Sequence, residues 1–490
     1  MGTAHGRGKA PADKHNLGQE DALGARHGAL LPGMAPLQKA EEPLRSDVQS
    51  VRRITAILAL GLLVSPSLGA AQDAPFASAD LIALSDGAMV ATGYINGLLG
   101  PREPDLLSVL SRAEDGTWAR SDVTVSNSVA TWPNVLAVTG DGQTAISTEP
   151  FAQPDEDARI FSEIEQGNTL TVVDLSDRAN PTVRQTVEAA GPPTAIDIHP
   201  SGDVVAVTYA ALGQIALYPL EDGRLGDPTV QDLGIEDLET TFVPEIKWHP
   251  SGDFAAVTLG GAAKIGFFRY TNDALEPWGA PISTAPLPGK GQWTADGRYF
   301  LATTINITGD LAQLGYGRTS SLLTVVSFDD NNEPDSVPRR ANDRSPTYES
   351  DPIQHAVAAV APFGMGYVEN FAISPDGRHV VGLNMVASWL PKDHPGHTDY
   401  SELTVLAFEG ETGAVEMKGI TRLNNVTLPQ GIVFDNDGRH VAVTSFQGPD
   451  AGPGQIAFWS FAPDAAEPFA RVGEAIPAPR GVHFLTKVPK

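Results

Sequence analysis

The chain repeats a short apolar run followed by a tight turn. Seven polar side chains lie at the starts of such runs. They are Asn134, Thr194, Glu245, Lys290, Glu369, Gln430 and Arg480. If the repeats arrange these positions around one axis, two carboxylates and two cations face a common space. A carboxylate there can act as a general base, and a cation can hold an anionic or carbonyl oxygen. We therefore predict Glu245 and Glu369 as catalytic residues. Lys290 and Arg480 would bind the ligand.

Three amides complete the predicted site. Asn134 and Gln430 belong to the same set of positions, and Asn384 opens a long insertion. Opposite charges around the axis would keep the carboxylates ionised at neutral pH. Alanine substitutions of the charged residues are then expected to abolish binding or turnover with little change in melting temperature. The opposing interpretation is that polar residues at a channel mouth bind only water.

The insertion NMVASWLPKDHPGHTDYSE, which begins at Asn384, contains two histidines in a His-x-x-His arrangement with flanking aspartates. Three interpretations are open: metal ligands, a lid that faces the substrate, or a solvated loop. A loop does not fix ligand geometry as a helix does, so we predict no metal. His394 and His397 are predicted as ligand-binding residues.

These residues must be positioned by hairpins, because the chain repeats a hairpin-like segment along its length. TAIDIHPSGDVVAVTY begins at Thr194, and related segments begin at Asp80, Asn134, Pro244, Lys290, Glu369 and Gln430. Each is an apolar run, a turn with glycine, and a second apolar run. Glycine supplies the positive φ that such a turn requires. The turn glycines are expected at positions 87, 142, 202, 252, 297, 377 and 438.

Each hairpin is followed by a third run rich in β-branched and aromatic residues, such as TLTVVDLSDR from Thr169, and by a more variable fourth run. Repeats of this length indicate a repeat architecture. Radial repetition accommodates many equivalent groups of four short strands. We predict an all-β fold, a seven-bladed β-propeller of four-stranded antiparallel blades. The last residues, 480–485, resemble another innermost strand and should close the ring beside, or in place of, Asp80 to Leu84.

Insertions indicate which end of the propeller carries function, because loops on a rigid scaffold commonly do. Loops from strand two to strand three, and from blade to blade, share one face, which we call the loop face. The tight hairpin turns lie on the opposite turn face. Long insertions occur in blades 1, 2, 5 and 6, including 305–320 and 334–366 in blade 5. We expect all of them on the loop face, and a ligand over the channel there.

Composition excludes several classes of function. The chain of 490 residues has 33 Lys and Arg against 60 Asp and Glu, a formal charge of −27, and no cysteine. Such acidity opposes binding to nucleic acid or to anionic membranes. The lack of cysteine excludes disulfides, thiol catalysis and thiolate metal sites. No cofactor is predicted, since no nucleotide-binding or nucleophile motif stands in a suitable context.

The first part of the chain reads as a leader and an export signal. Val51-Arg52-Arg53 is followed by an apolar stretch too short to span a membrane and by small residues up to Ala71. Residues 1–50 look like a disordered leader or a mis-called start, 51–71 like a signal peptide, and 72–490 like a single propeller domain. The expected location is periplasmic or secreted.

The hairpins HPSGDVVAVTY, SPDGRHVVGL and NDGRHVAVTS resemble those of seven-bladed lactonase-like propellers, the group with 6-phosphogluconolactonase, carboxymuconate cyclase and YVTN-type proteins. The resemblance implies the fold and, more weakly, lactone hydrolysis, because fold does not carry function. The expected function is binding of a small anionic or lactone-type molecule, with lactonase-like hydrolysis. The alternatives are a non-catalytic propeller for a protein partner and a cofactor-free subunit of a periplasmic complex.

Overall fold

The computed structural model describes residues 75–77, 79–113, 115–129, 134–234, 243–306, 320–330 and 353–489. The predicted leader and signal peptide lie outside these residues, as does most of the first blade 5 insertion. Seven antiparallel sheets follow one another along the described chain. The predicted seven-bladed β-propeller is therefore confirmed.

The first four blades are given from the innermost strand outward. Blade 1 consists of Val482–Pro489, Ala79–Ser85, Leu106–Arg112 and Trp118–Thr124. Blade 2 consists of Leu136–Val138, Thr144–Thr148, Thr169–Asp174 and Thr182–Glu188. Blade 3 consists of Ile196–Ile198, Val204–Tyr209 and Gln214–Glu221, with Arg224–Leu225 and Thr229–Asp232 sharing the outer position. Blade 4 consists of Glu245–Trp248, Phe254–Leu259 and Lys264–Thr271, with Ala274–Pro277 and Ile282–Ser283 outside.

The remaining blades have four strands each. Blade 5 consists of Pro288–Trp293, Tyr299–Asn306, Ser320–Ser327 and Ala356–Met365. Blade 6 consists of Val368–Ile373, His379–Asn384, Tyr400–Glu409 and Ala414–Asn424. Blade 7 consists of Ile432–Phe434, His440–Ser445, Gly454–Phe461 and Phe469–Ala478. Short helices are found at Gly93–Asn96, Phe161–Glu163, Ala210–Leu212 and Pro449–Ala451. None of the helices in the described ranges has the length and apolarity that a membrane crossing requires.

Blade 1 differs from the expected hairpin because its strands come from both ends of the described chain. The C-terminal strand Val482–Pro489 is innermost, and Ala79–Ser85 pairs with it as the second strand. The C-terminal strand thus takes the place that the sequence repeat gave to Asp80–Leu84. Gly87 is consequently not a hairpin glycine, and it is absent from the residues with positive φ.

The other six predicted turn glycines have φ between 68° and 84°. At two of these turns a histidine from the preceding blade holds the glycine. The Nε2 of His199 donates to the carbonyl of Gly252 at 2.9 Å, and that of His249 donates to the carbonyl of Gly297 at 3.1 Å. The histidines of the HPSGD segments therefore join successive blades on the turn face.

Two glycine substitutions are expected to separate backbone strain from steric overlap. A Cβ at Gly202 would meet nothing within 4 Å, whereas one at Gly252 would lie 2.7 Å from the His199 ring. Both have φ of 84°, so alanine at either position should cost about 1 to 2 kcal/mol of strain. Gly252→Ala should cost at least about 1 kcal/mol more, because the ring must move. Urea unfolding of the two variants measures the difference, and equal losses would contradict the contact.

The hydrophobic core lies between neighbouring blades. In one cluster, Ile146 of blade 2 packs with Val207 and Tyr209 of blade 3, all fully buried. Alternate residues of a strand point to opposite sides, so each middle strand buries both of its faces. The channel itself is lined by polar and apolar residues of the innermost strands.

In blade 5, the described residues on either side of 331–352 differ from the expected insertion. The fourth strand, Ala356–Met365, occupies much of the predicted 334–366 insertion, so the connection 328–355 joins strands three and four. Such connections lie on the turn face of a propeller. The described ends of this connection, 328–330 and 353–355, therefore lie on the turn face and not on the expected loop face, while residues 331–352 lie outside the described residues. Its C-terminal end is held where His355 Nε2 donates to the carbonyl of Trp278 at 2.8 Å.

Candidate functional site

The innermost strands of blades 2 to 5 bring five polar residues into one network around the channel. The ammonium of Lys290 donates to Asn134 Oδ1 at 2.7 Å and lies 3.4 Å from Glu245 Oε2. Lys247 lies 3.7 Å from Glu245 Oε1 and 3.0 Å from Asp197 Oδ1. We call Asn134, Asp197, Glu245, Lys247 and Lys290 the axial ion network. It joins three of the predicted site residues to two that were not predicted.

Burial and charge oppose each other within the axial ion network. Burial raises the pKa of Glu245, and the two lysines oppose this effect. Burial lowers the pKa of Lys290, against the attraction of Glu245. Burial also acts to lower the pKa of Lys247, but the attraction of Asp197 and Glu245 outweighs it, so the pKa of Lys247 is raised overall. Removing Glu245 would leave the buried Lys290 ammonium without its carboxylate, and removing Lys290 would take the closer cation from Glu245.

Glu369 and Gln430 form a separate pair on blades 6 and 7. Gln430 Nε2 donates to Glu369 Oε2 at 2.7 Å, and Asn370 Nδ2 donates to the carbonyl of Gln430 at 2.7 Å. Burial raises the pKa of Glu369 to about 7, although the hydrogen bond from Gln430 favours the charged form. The side chain keeps partial access to solvent. Near neutral pH this carboxyl can both take up and release a proton.

The raised pKa values of Glu245 and Glu369 differ from the expectation that opposite charges would hold both carboxylates ionised. The reason is desolvation, which is the largest effect on each group. For Glu369 the only other contribution comes from the neutral amide of Gln430. Burial disfavours the charged form of a carboxyl unless a cation compensates it.

Lys290 and Glu369 both lie where an innermost strand is irregular. The pairing register shifts between Pro288 and Gly291 in blade 5, and between Val368 and Asn370 in blade 6. Bulges of this kind redirect a side chain and occur often beside active sites. The side chains of Lys290 and Glu369 therefore do not follow the regular alternation of side-chain direction along their strands.

Arg480 lies apart from both the axial ion network and the Glu369–Gln430 pair. Its guanidinium donates to the carbonyls of Gly87 and Pro101 and lies 3.1 Å from Glu103 Oε1. Its side chain is 2% exposed. All these contacts go to blade 1, so Arg480 fastens the connection from blade 7 to blade 1 and is not joined to Lys290.

The predicted residues of the blade 6 insertion make local contacts. Asn384 Nδ2 donates to the carbonyl of Met365 at 2.6 Å, and its Oδ1 accepts from the amide of Val386 at 2.9 Å. His397 Nδ1 donates to the carbonyl of Leu390 at 2.9 Å, while His394 Nδ1 accepts from the Gly396 amide at 3.0 Å. Across the described parts of the chain, no group of three or more His, Cys, Asp or Glu is arranged to hold a metal ion.

The loop-face insertions pack into an apolar cluster that the sequence analysis did not predict. We call it the apolar cap; its buried members are Met89, Ala91, Val129, Phe161, Tyr367, Met385, Ala387, Trp389, Leu390, Leu428 and Phe446. They come from loops of blades 1, 2, 5, 6 and 7. The charge of Glu369 adds to the effect of burial in raising the pKa of Tyr367. Glu369 therefore lies beside the apolar cap.

A cavity of about 630 Å³ occupies the turn-face half of the channel. It reaches from hairpin residues such as Gly140 and Pro375 inward to Lys290 and Asn370. Asp197, Lys247 and Gln292 stand at equivalent positions of blades 3, 4 and 5, two residues before the start of each turn, and all three line this cavity. Aligning the repeated hairpins at that position would have indicated these three residues.

Comparison with solved structures gives the same fold at low sequence identity. A 6-phosphogluconolactonase-like structure from Bacteroides uniformis superposes with a TM-score of 0.56 at 13% identity, covering 84% of this chain and 99% of that one. A second, from Bacteroides fragilis, also has a TM-score of 0.56 at 13% identity, with 86% and 99% covered. The periplasmic gluconolactonase of Pseudomonas aeruginosa gives 0.56 at 16% identity, with 83% and 99% covered.

No family model matches the sequence, and no curated protein matches it. At such identities the likeness concerns the fold. The chain is accordingly a seven-bladed β-propeller with the fold of the 6-phosphogluconolactonase-like and gluconolactonase structures.

Proposed function

We propose that this protein is an exported lactonase-like hydrolase, which binds a small anionic or lactone-type molecule over the channel on the loop face. The observation that carries the proposal is Glu369. It is a carboxyl on a channel strand, with a pKa of about 7, and Gln430 is its hydrogen-bond partner. A general base works best when its pKa lies near the working pH. The fold shared with lactonase structures supports the same reaction class.

In this proposal, ionised Glu369 takes a proton from water, and the hydroxide attacks the lactone carbonyl. The ring C–O bond then breaks, the protonated carboxyl returns its proton to the leaving oxygen, and a hydroxy acid results. Gln430 orients the carboxyl of Glu369. Lys290, on the neighbouring blade, keeps its predicted role as the cation that attracts the anionic part of the substrate, although it is paired with Glu245 and also lines the turn-face cavity.

Glu369 is the stronger choice of base than Glu245. Glu245 is fully buried, and a lysine ammonium lies near each of its oxygens. Such a carboxylate stabilises the two cations but has no free approach to water. Glu245 and Asn134 would then hold Lys290, and the loop with His394 and His397 would border the ligand from above.

The proposal predicts a pH-dependent activity. Hydrolysis of γ- and δ-lactones, followed by pH-stat, should rise with pH and level off above about pH 7, where Glu369 is ionised. Glu369→Gln should lower kcat/KM by about 100-fold or more. Glu402→Gln is the matched control, because Glu402 is a half-buried carboxyl on the third strand of the same blade. A rate that Glu369→Gln leaves unchanged would refute the assignment.

The same raised pKa predicts a trend in stability. The folded state binds the Glu369 proton more tightly than the unfolded chain does, because the pKa of this carboxyl is near 4.5 in the unfolded chain. This contribution is fully present below about pH 4.5 and is lost as pH rises through about 7. As pH rises from about 4.5 to about 7, the melting temperature of the wild type should therefore fall relative to that of Glu369→Gln. Thermal melts across this range measure the difference, and parallel curves would contradict the pKa.

A non-catalytic binding propeller is the second candidate. The outer strands of blades 5 and 6 are neighbours, and they expose Val357, Val360, Met417 and Ile420, each by 40% or more. Exposed apolar patches mark interaction surfaces. Inactivity of the folded wild type on every lactone tested would favour this candidate over the hydrolase.

Export is expected to remove the segment before residue 72. The sequence from Arg52 to Ala71 has a basic start, an apolar stretch and small residues near its end. Mass spectrometry of protein recovered from its native host should find an N-terminus near Gln72. Recovery of chains that retain Arg52 to Ala71 would show that the segment is not cleaved.

A further inference from the structure

The turn-face cavity has a polar inner end and apolar walls. Lys290, Gln292 and Asn370 line its inner end, and Lys247 with Asp197 lies on one side. The apolar part of the wall consists mainly of Ile198, Ile373, Ile432, Phe434 and Phe484. A volume of about 630 Å³ lies within the range of small-molecule sites. Such a lining suits a ligand with one charged end and an apolar body.

The lining of the cavity contains three lysines and one carboxylate, that of Asp197. Lys247 pairs with Asp197, and Lys290 pairs with Glu245. Lys487, on the C-terminal strand, also lines the cavity, yet no carboxylate of the described residues lies within ion-pair distance of its ammonium. The nearby Asp435 is engaged elsewhere, since it accepts from His440 Nδ1 at 2.7 Å and from the Arg439 amide at 2.9 Å. Among the described residues, Lys487 therefore has no direct ion-pair partner, although the charge of Asp435 acts on it at longer range.

Lys487 is half-buried, which makes the lack of a direct ion pair costly. Burial lowers the pKa of Lys487, and the charge of Asp435 offsets only part of that effect. A buried ammonium is stabilised when an anion replaces the water it has lost. The rest of the protein is strongly acidic, with a formal charge of −27. Within it, a cavity lined by three ammonium groups offers an anion contacts that the acidic surface does not.

We propose that the turn-face cavity is a second binding site, which takes a small organic carboxylate with an apolar body. The carboxylate would lie between Lys487 and the inner lysines, and the body would pack against the isoleucine and phenylalanine side chains. The cavity shares Lys290 with the proposed lactonase site, but Glu369 is not among its lining residues, so binding there does not require lactone hydrolysis.

Hexanoate is a suitable probe, tested by calorimetric titration of the full chain at low salt. It should bind saturably, and hexanamide, which lacks the charge, should bind about tenfold more weakly or worse. Inorganic phosphate has charge but no apolar body, and it should also bind more weakly than hexanoate. Absence of saturable hexanoate binding, or tighter binding of phosphate or hexanamide, would overturn the proposal.

Two variants locate the site. Lys487→Gln removes the unpaired charge, and Thr486→Glu adds a carboxylate to the same wall. Each should weaken hexanoate binding by about tenfold, while the melting temperature of Lys487→Gln should not fall, because no ion pair is lost. Lys392→Gln is the control, since it removes an exposed charge from the blade 6 insertion. Affinity that is unchanged in both cavity variants would refute the placement, whereas Glu369→Gln should bind hexanoate as the wild type does.

Discussion

A chain that ends at Gly481 is expected not to form the closed ring. The missing strand, Val482–Pro489, is the innermost strand of blade 1, and its register with Ala79–Ser85 is continuous except for a shift at Leu84. It buries Val482, Leu485 and Val488 between blades. Each such side chain contributes about 1.5 to 3 kcal/mol, so the three together approach the net stability of a typical domain.

The loss also leaves two unprotected strand edges, which promote aggregation. Gel filtration and circular dichroism of the truncated chain should show aggregated or unfolded protein. A circular permutant that links residue 489 to residue 76 and opens the exposed turn at Gly410 keeps every strand, and it should remain folded. A monomeric truncated chain with the wild-type melting temperature would show that the C-terminal strand does not close the ring.

Replacement of Lys290 by methionine is expected to lower the free energy of unfolding by about 3 to 5 kcal/mol. The Lys290 side chain is 8% exposed and that of Glu245 is fully buried. Without the ammonium, Glu245 loses its closer cation and Asn134 Oδ1 loses its hydrogen-bond donor, and only Lys247, at 3.7 Å, remains near the Glu245 carboxylate. The sequence alone suggested that such a substitution would affect binding with little effect on stability. The structure instead predicts a large loss.

A double-mutant cycle tests this interpretation. Glu245→Leu combined with Lys290→Met removes both charges and should recover part of the loss, because no unpaired carboxylate remains. Urea unfolding of the wild type, both single variants and the double variant gives the coupling energy. Lys392→Met, which breaks a surface pair with Asp450, should change stability by less than about 1 kcal/mol. Additive effects of the two buried substitutions would contradict the proposed pairing.

The blades could be predicted from sequence because the information is local. Gly202 and Gly252 mark tight turns, and the apolar runs on either side must pair as hairpins whatever surrounds them. The same reasoning failed at Gly87. There the flanking runs look like a hairpin, but the inner strand is supplied by residues 482–489, which lie far away in sequence. The closure itself was predicted, because residues 480–485 resemble an innermost strand, but local pattern could not decide whether that strand lies beside Asp80–Leu84 or replaces it.

The candidate site depended on information that the sequence does not contain locally. The sequence by itself determined the repeat, the turn glycines, the acidity and the polar character of the innermost strands. Only the tertiary structure showed that Glu245 and Lys290 share a network with Lys247, that Arg480 fastens the ring instead, and that Glu369 stands beside the apolar cap. The physical reason is that strand register decides which side a residue faces. At Lys290 and Glu369 the register shifts, and the partners of both residues come from other blades, which only ring closure brings together.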